Sequence, residues 1–181
     1  MTKLSTLSLP ILGIVAAGSN AGKTTMITQL IPVLAAHQIR VSVVKHAHHQ
    51  FDIDHVGKDS YNIREAGAVQ TLIASGKRWA LMTEMERTPD DSGEAHLETL
   101  LAQLDHRYAD LILIEGFKQA AIPKIEVHRP SLNLPLLADS DPNIIAVACD
   151  VPINCKQPQL PLNDTQAICL FMMEWIKKTH D

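Results

Sequence analysis

The chain has 181 residues, enough for one well-packed domain and too few for two full-sized ones. Hydrophobic residues make up 46% of it and charged residues 20%, the composition of a soluble globular protein. The formal net charge of −4 argues against a broad basic surface for nucleic acid or for an anionic membrane. The three cysteines form no CxxC pair, and we find no signal peptide and no apolar run of membrane-spanning length, so we expect a cytoplasmic protein.

Apolar runs and turn signals in the first half of the chain predict strands that alternate with helices. The first short, continuous apolar run suits a strand buried on both faces, and the next run repeats its apolar residues at helical spacing. Gly76-Lys77 separates two β-rich runs, which is a hairpin signal, so we expect one antiparallel strand within the main sheet. The predicted elements are strand Ile11–Ala17, helix Lys23–His37, strand Ile39–Lys45, helix Asp59–Ala68, and strands Gln70–Ser75 and Arg78–Thr83.

The second half continues the alternation after a polar loop at Glu86–Glu94. Its predicted elements are an amphipathic helix Ala95–Tyr108, strand Leu111–Ile114, edge strand Lys124–His128, strand Asn143–Ala148, and a final helix capped by Asp164 that runs through Lys178. This order predicts the α/β class, specifically a three-layer domain with a mostly parallel, mixed β-sheet. We find no repeat and no domain boundary, so we expect residues 1–181 to form a single domain.

The segment Ala17–Thr25 (AGSNAGKTT) follows a predicted strand and opens a predicted helix, which is the context that a phosphate-binding loop requires. Gly22 permits a backbone conformation in which successive N–H groups converge on phosphate oxygens, and the helix N-terminus adds partial positive charge. Lys23 is placed to bridge the β- and γ-phosphates, and the Thr24 hydroxyl to bind Mg²⁺. The usual first glycine of the motif is replaced by Ala17, a small residue that leaves the loop intact. This loop makes the predicted three-layer α/β domain a P-loop NTPase domain, so residues 1–181 are expected to form a single P-loop nucleotide-binding domain. The predicted nucleotide contacts are Gly18, Ser19, Asn20, Ala21, Gly22, Lys23, Thr24 and Thr25.

Carboxylates at predicted strand ends are candidates to complete this site. Glu115 ends the most apolar strand, where parallel sheets face their ligand crevice, so it is the leading candidate to hold Mg²⁺ or its waters and to act in catalysis with Lys23. Asp52 follows the second strand and is a lower-ranked metal ligand. Asp150 is placed to accept hydrogen bonds from the N1–H and 2-amino groups of guanine. The full Asn-Lys-x-Asp guanine motif is absent, so the residues alone do not decide between guanine and adenine.

Two alternative functions follow from other features of the sequence. His46, His48 and His49 lie close together, and imidazoles bind Ni²⁺ and Zn²⁺, so one alternative is a metallochaperone GTPase. No cysteine spacing supports such a site, and on an extended backbone His49 faces away from the other two. The other alternative is a small-molecule P-loop kinase, but the segment 86–94 is acidic where such an enzyme carries an arginine-rich lid.

Seven motifs together are more specific than a phosphate loop alone. In chain order they are AGSNAGKTT (17–25), VKHAHH (44–49), GKDS (57–60), REAGA (64–68), RWALMTE (78–84), LIEGFK (113–118) and VACD (147–150). From residue 11 to residue 177 the chain strongly resembles the molybdopterin-guanine dinucleotide biosynthesis protein B (MobB) family.

The resemblance implies a GTP-binding adapter that uses Mg²⁺ and assists the guanylyltransferase that joins GMP to molybdopterin. It implies a homodimer with an extended mixed sheet. It makes Gly18–Thr25 the phosphate site and Glu115 the Walker-B-like acid, with Lys45–His49 and Gly57–Ser60 as candidate switch loops or loops that face molybdopterin. Hydrolysis of GTP should be slow or partner-dependent, because the sequence offers no obvious glutamine and no assured arginine finger.

Overall fold

The computed structural model describes residues 9–47, 51–90 and 92–180. The chain divides into two compact units. The main unit comprises the residues up to His46 together with those from Leu97 onward, and the inserted unit comprises Ala47–His96. The inserted unit therefore interrupts the main unit in sequence.

The described residues form eight strands and four α-helices. The strands are β1 (Ile11–Val15), β2 (Val41–Lys45), β3 (Gln70–Ala74), β4 (Trp79–Thr83), β5 (Leu111–Glu115), β6 (Lys124–His128), β7 (Ile144–Cys149) and β8 (Gln159–Pro161). The helices are α1 (Lys23–Ala36), α2 (Asp59–Glu65), α3 (Leu97–Leu101) and α4 (Thr165–His180). No helix within the described ranges is long and apolar enough to cross a membrane.

The main unit is built on a six-stranded sheet in the order β2-β5-β1-β6-β7-β8, in which every neighbouring pair is parallel. Helices cover both of its faces. Alternate residues of β5 point to opposite sides: Leu111 and Leu113 join the core formed with α1 and α4, whereas Ile112 and Ile114 join the core formed with α3. All residues of β1 and β5 are buried, as expected for strands covered on both faces. The carboxyl end of β1 therefore lies between the carboxyl ends of β5 and β6, where ligands of such sheets bind.

The inserted unit contains α2 and the antiparallel hairpin of β3 and β4. Arg64, near the end of α2, connects its parts. Its guanidinium nitrogens lie 2.7 Å from Asp52 Oδ2 and 3.5 Å from Glu84 Oε1. Arg87 Nη1 in turn donates to the backbone carbonyls of Arg64 and Ala68, at 2.6 and 3.0 Å. Charged side chains and their hydrogen bonds thus hold this small unit together.

The predicted α/β class and mostly parallel sheet are confirmed, but two predictions about the sheet were wrong. The hairpin, expected to place an antiparallel strand in the main sheet, forms a separate two-stranded sheet. Strand β6, expected at an edge, lies between β1 and β7. Its charged residues are buried with partners inside the fold. Lys124 Nζ lies 2.6 Å from Asp141 Oδ2, and the Glu126 carboxylate accepts two backbone N–H groups at 2.9 and 2.8 Å.

The helix expected at Ala95–Tyr108 was also predicted wrongly, because α3 ends at Leu101. A separate 3₁₀ turn follows at His106–Tyr108. The Asp105 side chain begins this turn by accepting a hydrogen bond from the backbone N–H of Arg107 at 3.0 Å. The predicted cap of the last helix is confirmed, since Asp164 Oδ1 accepts from the backbone N–H of Ala167 at 3.0 Å.

Candidate functional site

The predicted phosphate loop connects the carboxyl end of β1 to α1. Gly22, immediately before the helix, has a φ of 104°, a conformation that strains any residue with a Cβ atom. Asn20, at the tip of the loop, also has a positive φ, of 62°. Because α1 begins at Lys23, the loop and the helix N-terminus offer backbone N–H groups and partial positive charge to an anion. Among the predicted contacts, Ser19, Asn20, Thr24 and Thr25 are exposed, Gly18, Gly22 and Lys23 are half-buried, and Ala21 is buried.

A threonine, a glutamate and a lysine from three different elements meet beside this loop. Thr24 Oγ1, in α1, donates to Glu115 Oε1, at the end of β5, over 2.6 Å. Lys45 Nζ, at the end of β2, donates to Thr24 Oγ1 at 3.2 Å and lies 3.3 Å from the same Glu115 oxygen. The Glu115 side chain is 9% exposed and that of Lys45 is 54% exposed, so a shielded carboxylate is paired with a half-solvated ammonium. The structure therefore brings Thr24 and Glu115 together, as the sequence predicts.

Lys23 is half-buried beside one carboxylate and two further lysines. Its Nζ donates to the backbone carbonyl of Gly18 at 3.1 Å. Burial lowers the pKa of Lys23, the Glu115 carboxylate opposes that shift, and the ammonium groups of Lys45 and Lys118 add to it. A polyphosphate bound in the loop would relieve this repulsion, so the arrangement favours an anionic ligand.

The backbone that follows Glu115 adopts an uncommon conformation. Gly116 and Phe117 both have positive φ angles, of 90° and 50°, and for a bulky residue such as phenylalanine this is a strained state. The Phe117 ring stacks on His46, with 4.5 Å between ring centroids and 20° between planes. A Cβ atom at Gly116 would lie only 3.0 Å from His46 Cβ. Close packing between the ends of β2 and β5 thus stabilises the strained turn beside Glu115.

A buried lysine stabilises the loop between β5 and β6. Lys124 Nζ donates to the backbone carbonyls of Lys118 and Ala120, at 3.1 and 2.6 Å, in addition to its ion pair with Asp141. Its side chain crosses β1 at Gly13, where an added Cβ atom would lie 2.6 Å from Lys124 Cγ. The loop between β5 and β6 is therefore tied to the sheet through one fully buried charge.

Arg129, which the sequence analysis missed, contacts both the phosphate loop and Asp150. Its Nε donates to the backbone carbonyl of Ala21 at 3.0 Å, and its Nη1 donates to Asp150 Oδ2 at 2.7 Å. Asp150 follows β7 directly, as expected. The only available sequence signal for Arg129 was its position just beyond β6, at the carboxyl edge of the sheet, because a single arginine before a proline belongs to no recognisable motif.

The remaining predicted groups are Asp52 and two of the clustered histidines. Asp52 belongs to the inserted unit, where its carboxylate accepts from the backbone N–H of Asp54 at 2.9 Å and from Arg64 at 2.7 Å. The Asp54 hydrogen bond is the main cause that lowers the pKa of Asp52. His48 and His49 lie outside the described residues. Within the part of the chain that the structure describes, no group of three or more His, Cys, Asp or Glu side chains could hold a metal ion.

Comparison with known proteins identifies the family. The family model described as "Molybdopterin guanine dinucleotide synthesis protein B" (MobB) matches residues 11–150. The chain belongs to the MobB family. The region that matches the MobB model includes the phosphate loop, the Thr24–Glu115–Lys45 cluster and the Arg129–Asp150 pair, so each part of the candidate site lies within it.

Individual relatives agree with this assignment. The "Molybdopterin-guanine dinucleotide biosynthesis adapter protein" of Escherichia coli K12 is 46% identical over 164 residues, which cover 90% of this chain and 91% of the relative. The Haemophilus influenzae protein of the same name is 42% identical over 172 residues, which cover 95% and 92%. A crystal structure of MobB matches with a TM-score of 0.69 and 28% identity, covering 92% of this chain and 99% of that one. The resemblance inferred from the motifs is thereby confirmed.

The oxygen atoms of this MobB-family site suit magnesium. Mg²⁺ prefers oxygen ligands, keeps several waters and is held in nucleotide sites by few protein groups together with phosphates. The Thr24 hydroxyl is such a group, and Glu115 Oε1, 2.6 Å away, can orient that hydroxyl and the waters of the ion. The residues present therefore fit an Mg²⁺ ion bound together with a nucleotide.

Proposed function

We propose that this protein is a GTP-binding adapter in the biosynthesis of molybdopterin guanine dinucleotide. Two relatives that carry this adapter name and align with at least 90% of the chain support the pathway. One observation supports the nucleotide: Thr24 Oγ1 lies 2.6 Å from Glu115 Oε1 beside a phosphate loop that carries Lys23. The proposed macromolecular partner is the guanylyltransferase that joins GMP to molybdopterin, and molybdopterin is a proposed second ligand.

Each group of the site has a definite role in this proposal. The backbone N–H groups of the loop and the Lys23 ammonium bind the β- and γ-phosphates. Thr24 holds Mg²⁺, and Glu115 orients the Thr24 hydroxyl and the waters of the ion. When bound, Mg²⁺ neutralises phosphate charge. Asp150 accepts hydrogen bonds from the guanine N1–H and 2-amino groups.

Hydrolysis of GTP is proposed to be slow unless a partner assists it. Transfer of a phosphoryl group to water requires an oriented water and cationic stabilisation of the transition state. The Glu115 carboxylate is engaged by Thr24 and Lys45, and the Arg129 guanidinium by Ala21 and Asp150. A partner that supplies one positioned cation or orients the water would therefore accelerate the reaction.

The hairpin of the inserted unit supports a homodimer. Leu72, Trp79 and Leu81, which share one face of the hairpin, are 63%, 61% and 41% exposed. A two-stranded hairpin is marginally stable alone, and exposed apolar clusters mark interaction surfaces, so a second copy of the chain is the proposed occupant. Light scattering tests this assignment. We expect a dimer for the unchanged protein and a monomer for Trp79→Asp, and a monomer in both cases would refute it.

Two further proposals concern the organisation and location of the protein. We infer that both units act together as one nucleotide-binding domain. We also infer a cytoplasmic location, which the free thiols of Cys149, Cys155 and Cys169 support, because the cytoplasm keeps thiols reduced.

Calorimetric titration with GTP and ATP, with and without Mg²⁺, tests the nucleotide assignment. We expect Mg²⁺-dependent binding of GTP, weaker binding of ATP, and at least about tenfold weaker GTP binding in Lys23→Ala, because a charged hydrogen-bond donor to phosphate is lost. Lys177→Ala, at an exposed position of α4, removes the same charge and should bind like the unchanged protein. Equal binding of ATP would contradict guanine recognition at Asp150, and binding of neither nucleotide would refute the proposal for the isolated protein.

The adapter role requires a separate experiment with the guanylyltransferase. We expect the protein to bind this enzyme in a pull-down and to increase the yield of molybdopterin guanine dinucleotide from GTP and molybdopterin. The Lys23→Ala variant should retain the pull-down and lose the increase. No effect of the unchanged protein on that yield would refute the adapter function even if GTP binds.

A further inference from the structure

The guanidinium of Arg129 touches two parts of the proposed nucleotide site at once. Its Nε is 3.0 Å from the Ala21 carbonyl, and its Nη1 is 2.7 Å from Asp150 Oδ2. It also lies against Gly22, where an added Cβ atom would be 3.6 Å from Nη2. The side chains of Arg129 and Asp150 are 31% and 23% exposed, so both charges are largely shielded from water.

The contact with Ala21 fixes the direction of a phosphate-binding group. The carbonyl of Ala21 and the N–H of Gly22 belong to the same planar, trans peptide unit and therefore point in opposite directions. By holding the carbonyl toward β6, Arg129 turns the Gly22 N–H away from itself. A charge-assisted hydrogen bond is stronger than a neutral one, so this peptide plane is held more firmly than solvent would hold it.

The contact with Asp150 fixes the proposed base-reading group. The donors of a guanidinium form a rigid, planar fork, so the positions of the Ala21 carbonyl and the Asp150 carboxylate are set relative to each other. Each carboxylate oxygen can accept more than one hydrogen bond. Asp150 can therefore remain paired with Arg129 while it accepts from a guanine.

We propose that Arg129 is a positioning residue that couples the phosphate loop to the base-reading carboxylate of Asp150. Binding of the triphosphate and choice of the base then depend on one another through a single side chain. This inference rests on the proposed function of the site as a GTP site. It assigns Arg129 no direct contact with the nucleotide.

The chain contains a matched control for the loss of such a pair. Arg40 and Asp110 form an ion pair of 2.9 Å beside the amino ends of β2 and β5. The phosphate loop lies at the carboxyl ends of the strands, on the opposite side of the sheet. The variant Arg40→Met therefore removes an arginine–aspartate pair of the same chemistry without touching the site. It should bind nucleotide like the unchanged protein.

Calorimetry with Mg²⁺ and either GTP or ITP, which lacks the 2-amino group, measures the coupling. We expect Arg129→Met to weaken GTP binding about tenfold and to reduce the preference for GTP over ITP toward unity, because Asp150 loses its orientation. Arg129→Lys keeps the positive charge but lacks the planar set of guanidinium donors. Its GTP affinity and its preference for GTP over ITP should lie between those of the unchanged protein and Arg129→Met. In a double-mutant cycle with Asp150→Asn, the losses should be strongly non-additive. Equal losses for GTP and ITP, or additive losses in the cycle, would overturn the coupling.

Hydrogen exchange of the nucleotide-free protein tests the same idea independently of the proposed function. We expect the backbone amides of residues 18–24 to exchange faster in Arg129→Met. They should also exchange faster in Asp150→Asn, because Asp150 holds the Arg129 side chain that contacts the loop. The Arg40→Met variant should match the unchanged protein, and thermal melts verify folding of each variant. Unchanged exchange in Asp150→Asn would overturn the inference. If the unchanged protein bound no nucleotide, the proposed function would fail while this experiment would still decide the role of Arg129.

Discussion

Replacing Lys45 by alanine tests the electrostatic reasoning behind the proposed magnesium site. Lys45 Nζ lies 3.2 Å from Thr24 Oγ1 and 3.3 Å from Glu115 Oε1, so an ion held by Thr24 has to displace this ammonium. In Lys45→Ala no displacement is needed, and Glu115 carries a less neutralised charge. We therefore expect Mg²⁺ to bind more tightly to the variant.

The size of the effect follows from the exposure of the pair. The Lys45 side chain is 54% exposed, so solvent screens its charge. Ion pairs with exposed partners contribute about 0.2–1 kcal/mol, which corresponds to a rise in Mg²⁺ affinity of roughly 1.4- to 5-fold. The GDP-bound protein is the right state to compare, because GDP has no γ-phosphate for Lys45 to contact.

Calorimetric titration of Mg²⁺ into the GDP-bound protein measures this change. Lys177→Ala removes the same charge from an exposed position of α4 and should leave the affinity unchanged. A lower Mg²⁺ affinity in Lys45→Ala would refute the reasoning, since it would mean that the lysine supports the ion or its waters instead of competing with it.

Three further predictions concern stability, and urea unfolding measures each of them. Glu126→Gln should lower the free energy of unfolding by about 1–3 kcal/mol at pH 7, because an amide nitrogen would face a backbone N–H donor. Burial raises the pKa of Glu126 above its usual value of 4.5. Between these two pKa values the folded state holds more protons than the unfolded chain. Stability of the unchanged protein should therefore fall across this window as pH rises, a slope that Glu126→Gln lacks. Gly13→Ala should cost about 1–3 kcal/mol, because its Cβ atom would overlap Lys124 Cγ. Lys23→Met should stabilise the nucleotide-free protein by about 0.5 kcal/mol, because the cost of partly burying the ammonium is removed and its partial exposure limits the gain. The same variant should weaken nucleotide binding as Lys23→Ala does.

Each of these predictions has a result that would contradict it. A fully stable Glu126→Gln protein would mean that the carboxylate is already protonated and donates one hydrogen bond. An unchanged Gly13→Ala protein would mean that the Lys124 side chain can shift away from β1 without loss of stability. A destabilised Lys23→Met protein would mean that the hydrogen bond to Gly18 outweighs the cost of burying the ammonium.

The parts of the fold that sequence patterns predict well are those determined by local hydrophobicity. The runs at 11–17 and 111–114 are apolar on both faces, and both form fully buried strands. Strand β6 was misplaced because Lys124 and Glu126 resemble residues of an exposed edge. The structure shows that Lys124 pairs with the Asp141 carboxylate and that Glu126 accepts from two backbone N–H groups. All three partners belong to the segment between β6 and β7.

The candidate site shows the same division between local and distant determinants. The phosphate loop is one continuous motif, and its conformation follows from glycine and the helix N-terminus, so sequence alone indicates it. Glu115 was inferred from a rule about strand ends, and its hydrogen bond to Thr24 agrees with that inference. Arg129 was missed because its role depends on partners 108 and 21 residues away, which no local pattern records.

The order of strands has a consequence for synthesis of the chain. Strand β1 pairs with β5 and β6, and β2 pairs with β5, so every sheet partner of the first two strands follows the inserted unit in sequence. A growing polypeptide therefore releases its phosphate-loop sequence from the ribosome well before it can form the surrounding sheet. A fragment that ends before β5 carries the phosphate-loop motif without Glu115, and one that ends between β5 and β6 contains Glu115 but lacks Arg129 and Asp150. Any product that ends before Asp150 therefore lacks part of the proposed nucleotide site.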